Sequence, residues 1–299
     1  MGSILEVEKL VKSYAGKEVL HGVTFQVEPG EIFALLGTNG AGKTTTLECI
    51  EGLKRYDKGM VSFHNQRAVA GAKLHAYIGI QLQSTALPGN ITVIEAFRLF
   101  CLANKVKADK NLLNQFGLKE LVHKQYSFLS TGQKRRLHLA LALVHNPDII
   151  FLDEPTAGLD VEGQAALHEE IFRLKALGKT ILIASHDMAE VEKLCDRIAI
   201  IKEGRIGFIG RPEELIPSFT DTKEIALKTD NPCQSTEFTF SKFIKRNNGY
   251  DYFETETLSE ALLELLKSYK EKDNHILDIK INHTTLEEKF LEFSREELV

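Results

Sequence analysis

One segment of the chain has the composition of a polyphosphate cradle: Gly37-Thr38-Asn39-Gly40-Ala41-Gly42-Lys43-Thr44. It matches the pattern GxxxxGK followed by Ser or Thr in full. Glycines let the backbone curl so that successive N–H groups face phosphate oxygens, and a helix opening at the loop's end adds positive partial charge. In that chemistry Lys43 reaches the β- and γ-phosphates, and the Thr44 hydroxyl takes a place on Mg2+. Nucleotide contacts then run over Gly37, Thr38, Asn39, Gly40, Ala41, Gly42, Lys43, Thr44 and the following Thr45. The competing explanation is an ordinary glycine turn. An apolar strand-like run before the loop and a helical stretch over residues 44–51 after it weigh against that.

A pair of carboxylates supports the loop. Four apolar residues, 149–152, run straight into Asp153-Glu154-Pro155. Such a run belongs in the centre of a sheet, so both carboxylates emerge at its C-terminal edge, where α/β sheets bind ligands. Pro155 cannot extend the ladder and ends the strand. Asp153 is the expected holder of Mg2+, directly or through water. Glu154 is the expected base that orients or deprotonates the attacking water.

The elements that must carry these groups follow from periodicity. Residues 32–36, 149–152, 181–184 and 198–201 form short, continuous, apolar runs, as strands buried on both faces do. Between them lie helical spacings such as Leu137, Ala140, Leu141 and Val144. This alternation predicts an α/β layer with a largely parallel sheet. Residues 6–10 and 23–27 read as half-exposed strands, which predicts a small antiparallel sheet beside it. From about residue 85 to 145 the pattern is mainly helical, with Val93, Ala96, Phe97 and Phe100 on one face and a short helix near 110–116. After Pro212 the character changes, and a boundary is expected near residue 217. The remainder, 218–299, reads as a small α/β accessory domain, with strand-like pieces at 237–240 and 276–281 and a helix over 259–272. A last helix opens with the capping signal Thr284-Thr285-Leu286-Glu287-Glu288 and carries Leu286, Phe290 and Phe293 on one face.

Composition bounds the partners. The net charge is -5 over 299 residues, without the basic field that sequence-independent nucleic-acid binding requires, so no nucleic-acid partner is expected. Lys134-Arg135-Arg136 reads as a solvated helix face or as contacts to a partner. Four cysteines, far apart and without a CxxC pair, suggest reduced thiols rather than a disulfide framework or a zinc site. No apolar run approaches the ~18–20 residues of a membrane span. The first residues lack the charged-then-apolar plan of a signal peptide, and Glu6 stands where myristoylation wants Ser or Thr. A cytoplasmic protein is expected, reaching a membrane only through a partner.

Further motifs carry a family resemblance. Leu129-Ser130-Thr131-Gly132-Gln133 resembles the LSGGQ signature of ABC-type ATPases, and it precedes Asp153-Glu154 in the usual order. Thr156-Ala157-Gly158-Leu159-Asp160 resembles the family's D-loop, and Ala184-Ser185-His186-Asp187 its H-loop. The resemblance spans residues 4 to 215. It implies a P-loop NTPase core of ABC type: a mixed sheet with flanking helices, an antiparallel β subdomain and a helical subdomain. It also implies ATP as ligand, Mg2+ as cofactor, and two such domains paired head to tail, each ATP lying between one phosphate loop and the other signature.

By the same resemblance, Ser130, Thr131, Gly132 and Gln133 would meet the γ-phosphate across the interface, and Asp160 would bridge the two sites. His186 would contact the γ-phosphate, and Tyr14 would stack on adenine. The Q-loop glutamine falls at Gln83 by register, ahead of Gln81, and would join Lys43, Glu154 and His186 in catalysis and Thr44 and Asp153 on the metal. Three positions depart from the family pattern. Thr131 replaces the second signature glycine, Leu82 stands where Pro usually precedes the glutamine, and Val161 follows Asp160 where Pro is frequent. The resemblance implies an ATPase subunit energising a separate transmembrane permease, on the inner face of the cell membrane. The tail resembles that of ABC-2-type exporters of drugs, peptides or lipids. The alternative is a soluble ABC ATPase of cluster-assembly, translation or repair type.

Overall fold

The computed structural model describes residues 2–64, 66–67, 77–81, 86–215, 223–233, 238–282 and 290. The chain resolves into two compact units, the first ending at Pro212 and the second beginning at Glu213.

In the first unit, β1 (Leu5–Tyr14) and β2 (Lys17–Val27) form a hairpin, followed by β3 (Ile32–Leu36) and α1 (Lys43–Ile50). Next come β4 (Lys58–Phe63), β5 (Gln66–Arg67) and β6 (Ile78–Gln81). Three helices then intervene: α2 (Val93–Ala103), α3 (Lys110–Gln115) and α4 (Thr131–Ala142). The chain continues through β7 (Ile149–Asp153), α5 (Val161–Ala176), β8 (Thr180–Ser185), α6 (Met188–Leu194), β9 (Arg197–Lys202) and β10 (Arg205–Gly210). It passes between the units within α7 (Pro212–Leu215).

Two sheets make this unit. The six-stranded sheet has the order β10-β9-β3-β8-β7-β6, parallel from β9 to β6, with β10 running antiparallel at one edge. Its central strands β3, β7 and β8 are buried along their whole length, which is why their sequences are continuous apolar runs rather than alternating ones. The second sheet, β2-β1-β4-β5, is antiparallel. Phe25 of β2 stacks on Phe33 of β3 with ring centroids 5.4 Å apart, inside a core that also takes Leu47 and Ile50 of α1. The mixed α/β architecture with an antiparallel subsheet agrees with the sequence expectation. Thr92 caps α2 through a capping box with Glu95, which fixes the start of the helical stretch.

The second unit holds β11 (Lys223–Thr229), β12 (Lys242–Asn247), β13 (Tyr250–Thr255), α8 (Leu258–Glu271) and β14 (Ile276–Asn282). Its sheet order is β12-β13-β11-β14, all antiparallel. Ala261, Leu265 and Tyr269 of α8 pack on Ile225, Leu227 and Phe253. Here the sequence reading needs correction. Phe238–Phe240 is not a strand, while β12 and β13 form a hairpin that was not anticipated. Its turn, Asn248-Gly249, has φ of 49° and 81°, the left-handed pair that a two-residue hairpin turn demands. The Asn-Gly dipeptide was the available signal. The helix expected after residue 284 lies outside the described residues, apart from Phe290, which is helical and buried.

One buried group in the first unit has a pH signature. Glu51, the residue that ends α1, is 1% exposed, and its Oε2 has no hydrogen-bond partner among the described residues. Burial, then the charges of Asp153 and Glu48, push its pKa from 4.5 up to about 8. Between those values the folded state holds a proton that the unfolded chain has released, so stability falls as pH rises from 4.5 through 8. Glu51→Gln is expected to be more stable than the parent at pH 8 by about 2–4 kcal/mol. The gap should close toward pH 4.5, as read by chemical denaturation at a series of pH values.

Candidate functional site

The phosphate loop leaves β3 at Gly37 and enters α1 at Lys43. Gly37 is required sterically, because a Cβ there would lie 2.5 Å from the Ile201 carbonyl oxygen. Gly42 sits at the helix N-cap with φ of 112°, where a Cβ would meet Leu20 at 2.8 Å. The loop is braced from outside by Gly204 of the β9–β10 turn, whose N–H donates to the Ala41 carbonyl at 2.9 Å. A Cβ on Gly204 would strike the Val19 carbonyl, so this glycine also answers to packing that no sequence motif announces.

Lys43 is 7% exposed, and its Nζ donates to the carbonyls of Gly37 at 2.6 Å and Thr38 at 3.3 Å. Burial lowers its pKa, while Glu154 and Asp153 oppose that shift. Tyr14 closes the β1–β2 hairpin, whose Ala15-Gly16 turn has φ of 48° and 82°. Its exposed ring has the ammonium groups of Lys12 and Lys54 at 5.2 Å each. A cleft of about 320 Å³ is lined by Tyr14, Thr38, Asn39, Gly40, Gly42, Lys43, Thr44, Thr45 and Glu154. Gly37 and Ala41 shape that loop from behind.

The acidic pair stands at the end of β7. Asp153 is buried, and its pKa is raised first by that burial and then by Glu154, with Lys43 acting the other way. Glu154 takes φ of 48°, a left-handed conformation uncommon outside glycine, and its N–H donates to the Ala184 carbonyl at 2.9 Å. That kink turns its carboxylate toward His186, whose Nδ1 lies 2.8 Å from Glu154 Oε1. His186 follows the last residue of β8, and most of its side chain faces solvent. The hard-oxygen set of the Thr44 hydroxyl and the buried Asp153 carboxylate suits Mg2+, and a cation there would offset the raised pKa of Asp153.

The signature forms a separate place. Ser130 caps α4: its Oγ accepts from Gln133 N–H at 3.2 Å, and Gln133 Oε1 accepts from Ser130 N–H at 3.1 Å. Thr131 is the first residue of the helix and is exposed, and Gly132 has open space where a Cβ would project. Ser130, Thr131, Gly132 and Gln133 share a cleft of about 530 Å³ with Gly158, Leu159 and Asp160. Asp160 caps α5, accepting from Gly163 N–H at 2.8 Å. No residue lines both clefts. The single chain therefore brings Tyr14, the loop, Asp153, Glu154 and His186 together, and leaves the signature and Asp160 facing elsewhere.

Other residues sit differently from the sequence expectation. Gln83 lies outside the described residues. Gln81 ends β6 beside Leu152, 1% exposed, and neither atom of its amide has a partner among the described residues. The basic triplet is not a free solvated face. Arg135 reaches the Ala157 carbonyl at 3.4 Å, Arg136 the Phe116 carbonyl at 3.3 Å, and Lys134 lies 5.0 Å from the Tyr126 ring. Tyr126 in turn is hydrogen-bonded to His138 at 2.9 Å, and burial brings the pKa of His138 down to about 4. These groups tie the signature helix to its surroundings. Side-chain length in Arg is the one property that could have suggested it.

Comparison with known proteins agrees with this geometry. Residues 20–157 match the family model described as ABC transporter. Nod factor export ATP-binding protein I of Paraburkholderia xenovorans is 40% identical over 221 residues, covering 72% of this chain and 73% of that protein. An uncharacterized ABC transporter ATP-binding protein of Methanocaldococcus jannaschii is 31% identical over 294 residues, covering 96% of this chain and 98% of its own length. Among solved structures, cbiO1 of Clostridium perfringens, part of the ABC transporter complex cbiONQ, is 33% identical with a TM-score of 0.66. That match covers 73% of this chain and 92% of cbiO1. With 40% identity to one such subunit over most of both chains, this chain belongs to the ABC transporter family, as an ATP-binding subunit and an ATPase.

Proposed function

We propose that this chain is the ATPase subunit of an exporter, hydrolysing Mg-ATP in sites shared between two cassettes. The observation that carries the reading is the division of labour between the two clefts. Glu154 lines one, with His186 bonded to its carboxylate, and the signature with Asp160 lines the other. Each is half of a nucleotide site, and a second subunit turned head to tail supplies the missing half.

In this reading the adenine stacks on Tyr14, and the N–H groups of the loop from Gly37 to Thr45 wrap the phosphates. Lys43 exchanges its carbonyl partners for the β- and γ-phosphates, a favourable exchange because a buried ammonium gains from anionic oxygens more than from neutral ones. Thr44 and Asp153, with Gln83, would hold Mg2+, which would neutralise charge on the phosphates. Glu154 takes the proton of the attacking water, and His186 keeps that carboxylate aimed while its other ring nitrogen is free for the γ-phosphate. Across the interface, Ser130 and the N–H groups of Thr131, Gly132 and Gln133 present the positive end of α4 to the same phosphate. Asp160 bridges between the two sites.

The relatives' name, Nod factor export, supports export as the direction, with drugs, peptides or lipids as the proposed cargo class. Among the described residues no helix is long and apolar enough to cross a membrane. A transmembrane permease therefore provides the path, and the subunit sits against the inner face of the membrane through it. The full-length match to an archaeal transporter subunit, accessory unit included, favours this over a soluble ABC ATPase.

Glu154→Gln is expected to bind ATP with near-parental affinity and to lose turnover by roughly 10²–10⁴-fold, the range for removing a general base. Turnover near the parental rate would refute the assignment. With ATP bound and hydrolysis blocked, the same variant should run as a dimer in light scattering, and the parent with ADP as a monomer. Thr131→Gly removes a side chain at the mouth of the signature cleft. It should tighten the ATP-bound dimer of the Gln variant by about fivefold, ~1 kcal/mol. A looser dimer would mean that the threonine contributes to the interface.

A further inference from the structure

Behind the Glu154–His186 pair lies a group of buried polar side chains that the steps above leave unused. Glu190, in the first turn of α6, is 4% exposed. Its Oε2 accepts the Ser185 hydroxyl at 2.8 Å, and the Thr156 side chain stands beside the same carboxylate and favours its charged form. Ser185 stands directly before His186, and Thr156 stands two residues after Glu154. One carboxylate thus fastens the chain next to both members of the pair. Its own place is fixed by Asp187, which accepts from Glu190 N–H at 3.1 Å, while Ser185 Oγ accepts from Asp187 N–H at 3.1 Å.

The other oxygen is the telling one. Glu190 Oε1 has no hydrogen-bond partner among the described residues, and His168 Nε2 lies 3.6 Å from it. Both ring nitrogens of His168, itself 9% exposed, also lack partners. A buried polar atom without a hydrogen bond is costly, and a buried carboxylate facing a histidine is a poor way to stabilise a fold. Such a half-made contact makes sense as part of a site. His168 belongs to α5, the helix that Asp160 caps, two turns further along.

We propose that Glu190 is a positioning residue for ATP hydrolysis, holding His186 against Glu154 through Ser185 and Thr156, with His168 as its link to the helix that follows Asp160. The proposal rests on the roles given above to Glu154 and His186. Removing the carboxylate frees both backbone segments, so the pair loses its mutual aim while the phosphate loop, on the neighbouring strand end, keeps its form.

The test uses the full-length chain, measuring steady-state ATPase and, separately, ATP affinity by equilibrium binding. Glu190→Ala is expected to lower kcat by roughly 10–100-fold, the scale for losing an outer partner of a site, with ATP affinity within about threefold. Glu190→Gln should recover most of the loss, because its amide oxygen still accepts from Ser185. The decisive variant is Glu190→Ala combined with His186→Ala, whose loss should fall clearly short of the product of the two single losses, since Glu190 acts in part through His186. A folded Glu190→Ala with kcat within about twofold of the parent, or losses that multiply in the double variant, would overturn the proposal. Should Glu190→Ala not fold, Ser185→Ala removes a single hydroxyl, and the same two criteria apply to it. His186→Ala with parental turnover would remove the assignment of His186 and this proposal with it. A slow His186→Ala beside an unaffected Glu190→Ala would remove this proposal alone.

Discussion

The parallel ladder of β3, β8 and β7 is the constraint on which the rest of the site depends. Leu36 pairs with Ser185, and Asp153 pairs with Ala184, so these strands end level with one another. Whatever leaves them next must share one edge of the sheet: Gly37 from β3, Glu154 from β7 and His186 from β8. Parallel strands fix this alignment because a slip of one residue would turn every apolar side chain of a doubly buried strand to the wrong face. The phosphate loop, Glu154 and His186 are therefore placed by backbone hydrogen bonds before any of their side chains interact.

Onto that edge the fold loads charge that burial would otherwise forbid. Glu154 and Asp153 lie close enough to act on the ammonium of Lys43, Glu154 and Lys43 act on Asp153, and Glu51 is buried near Asp153 with its proton retained. Desolvation raises the carboxyl of Asp153 and lowers the ammonium of Lys43, so each is held away from its comfortable charged state. A polyphosphate with its divalent cation answers both at once, giving the lysine anionic partners and the aspartate a cation. The site is thereby electrostatically prepared for a ligand of mixed charge, and the left-handed turn at Glu154 adds a small local strain that the flanking ladder sustains.

The second unit follows a different logic. Its four-stranded antiparallel sheet and helix α8 make a core from a few large side chains, Phe253, Leu265 and Tyr269 among them. It too buries a charge, Asp251 at 1% exposure, with Arg246 3.5 Å away. Its strands alternate, with one face on α8, and their pattern is correspondingly weaker than the apolar runs of β3, β7 and β8. That is why β12 and β13 escaped notice while β3, β7 and β8 did not.

The sequence by itself determined which residues are the candidates for the chemistry. Gly37–Thr44, Asp153-Glu154, the signature and His186 are contiguous or nearly so, because phosphate binding by backbone N–H groups and capping of a helix are local events that a short run of residues can specify. The continuous apolar runs likewise announced the central strands. Tertiary structure alone decided which groups meet across long separations. Gly204 braces Ala41, Arg135 reaches Ala157, and Glu190 gathers Ser185, Thr156 and His168. These contacts depend on strand order and on the face each helix presents, and neither leaves a periodic mark in the chain. The separation of the two clefts is of the same kind, because the distance from the phosphate loop to the signature is set by the packed sheet and helices between them.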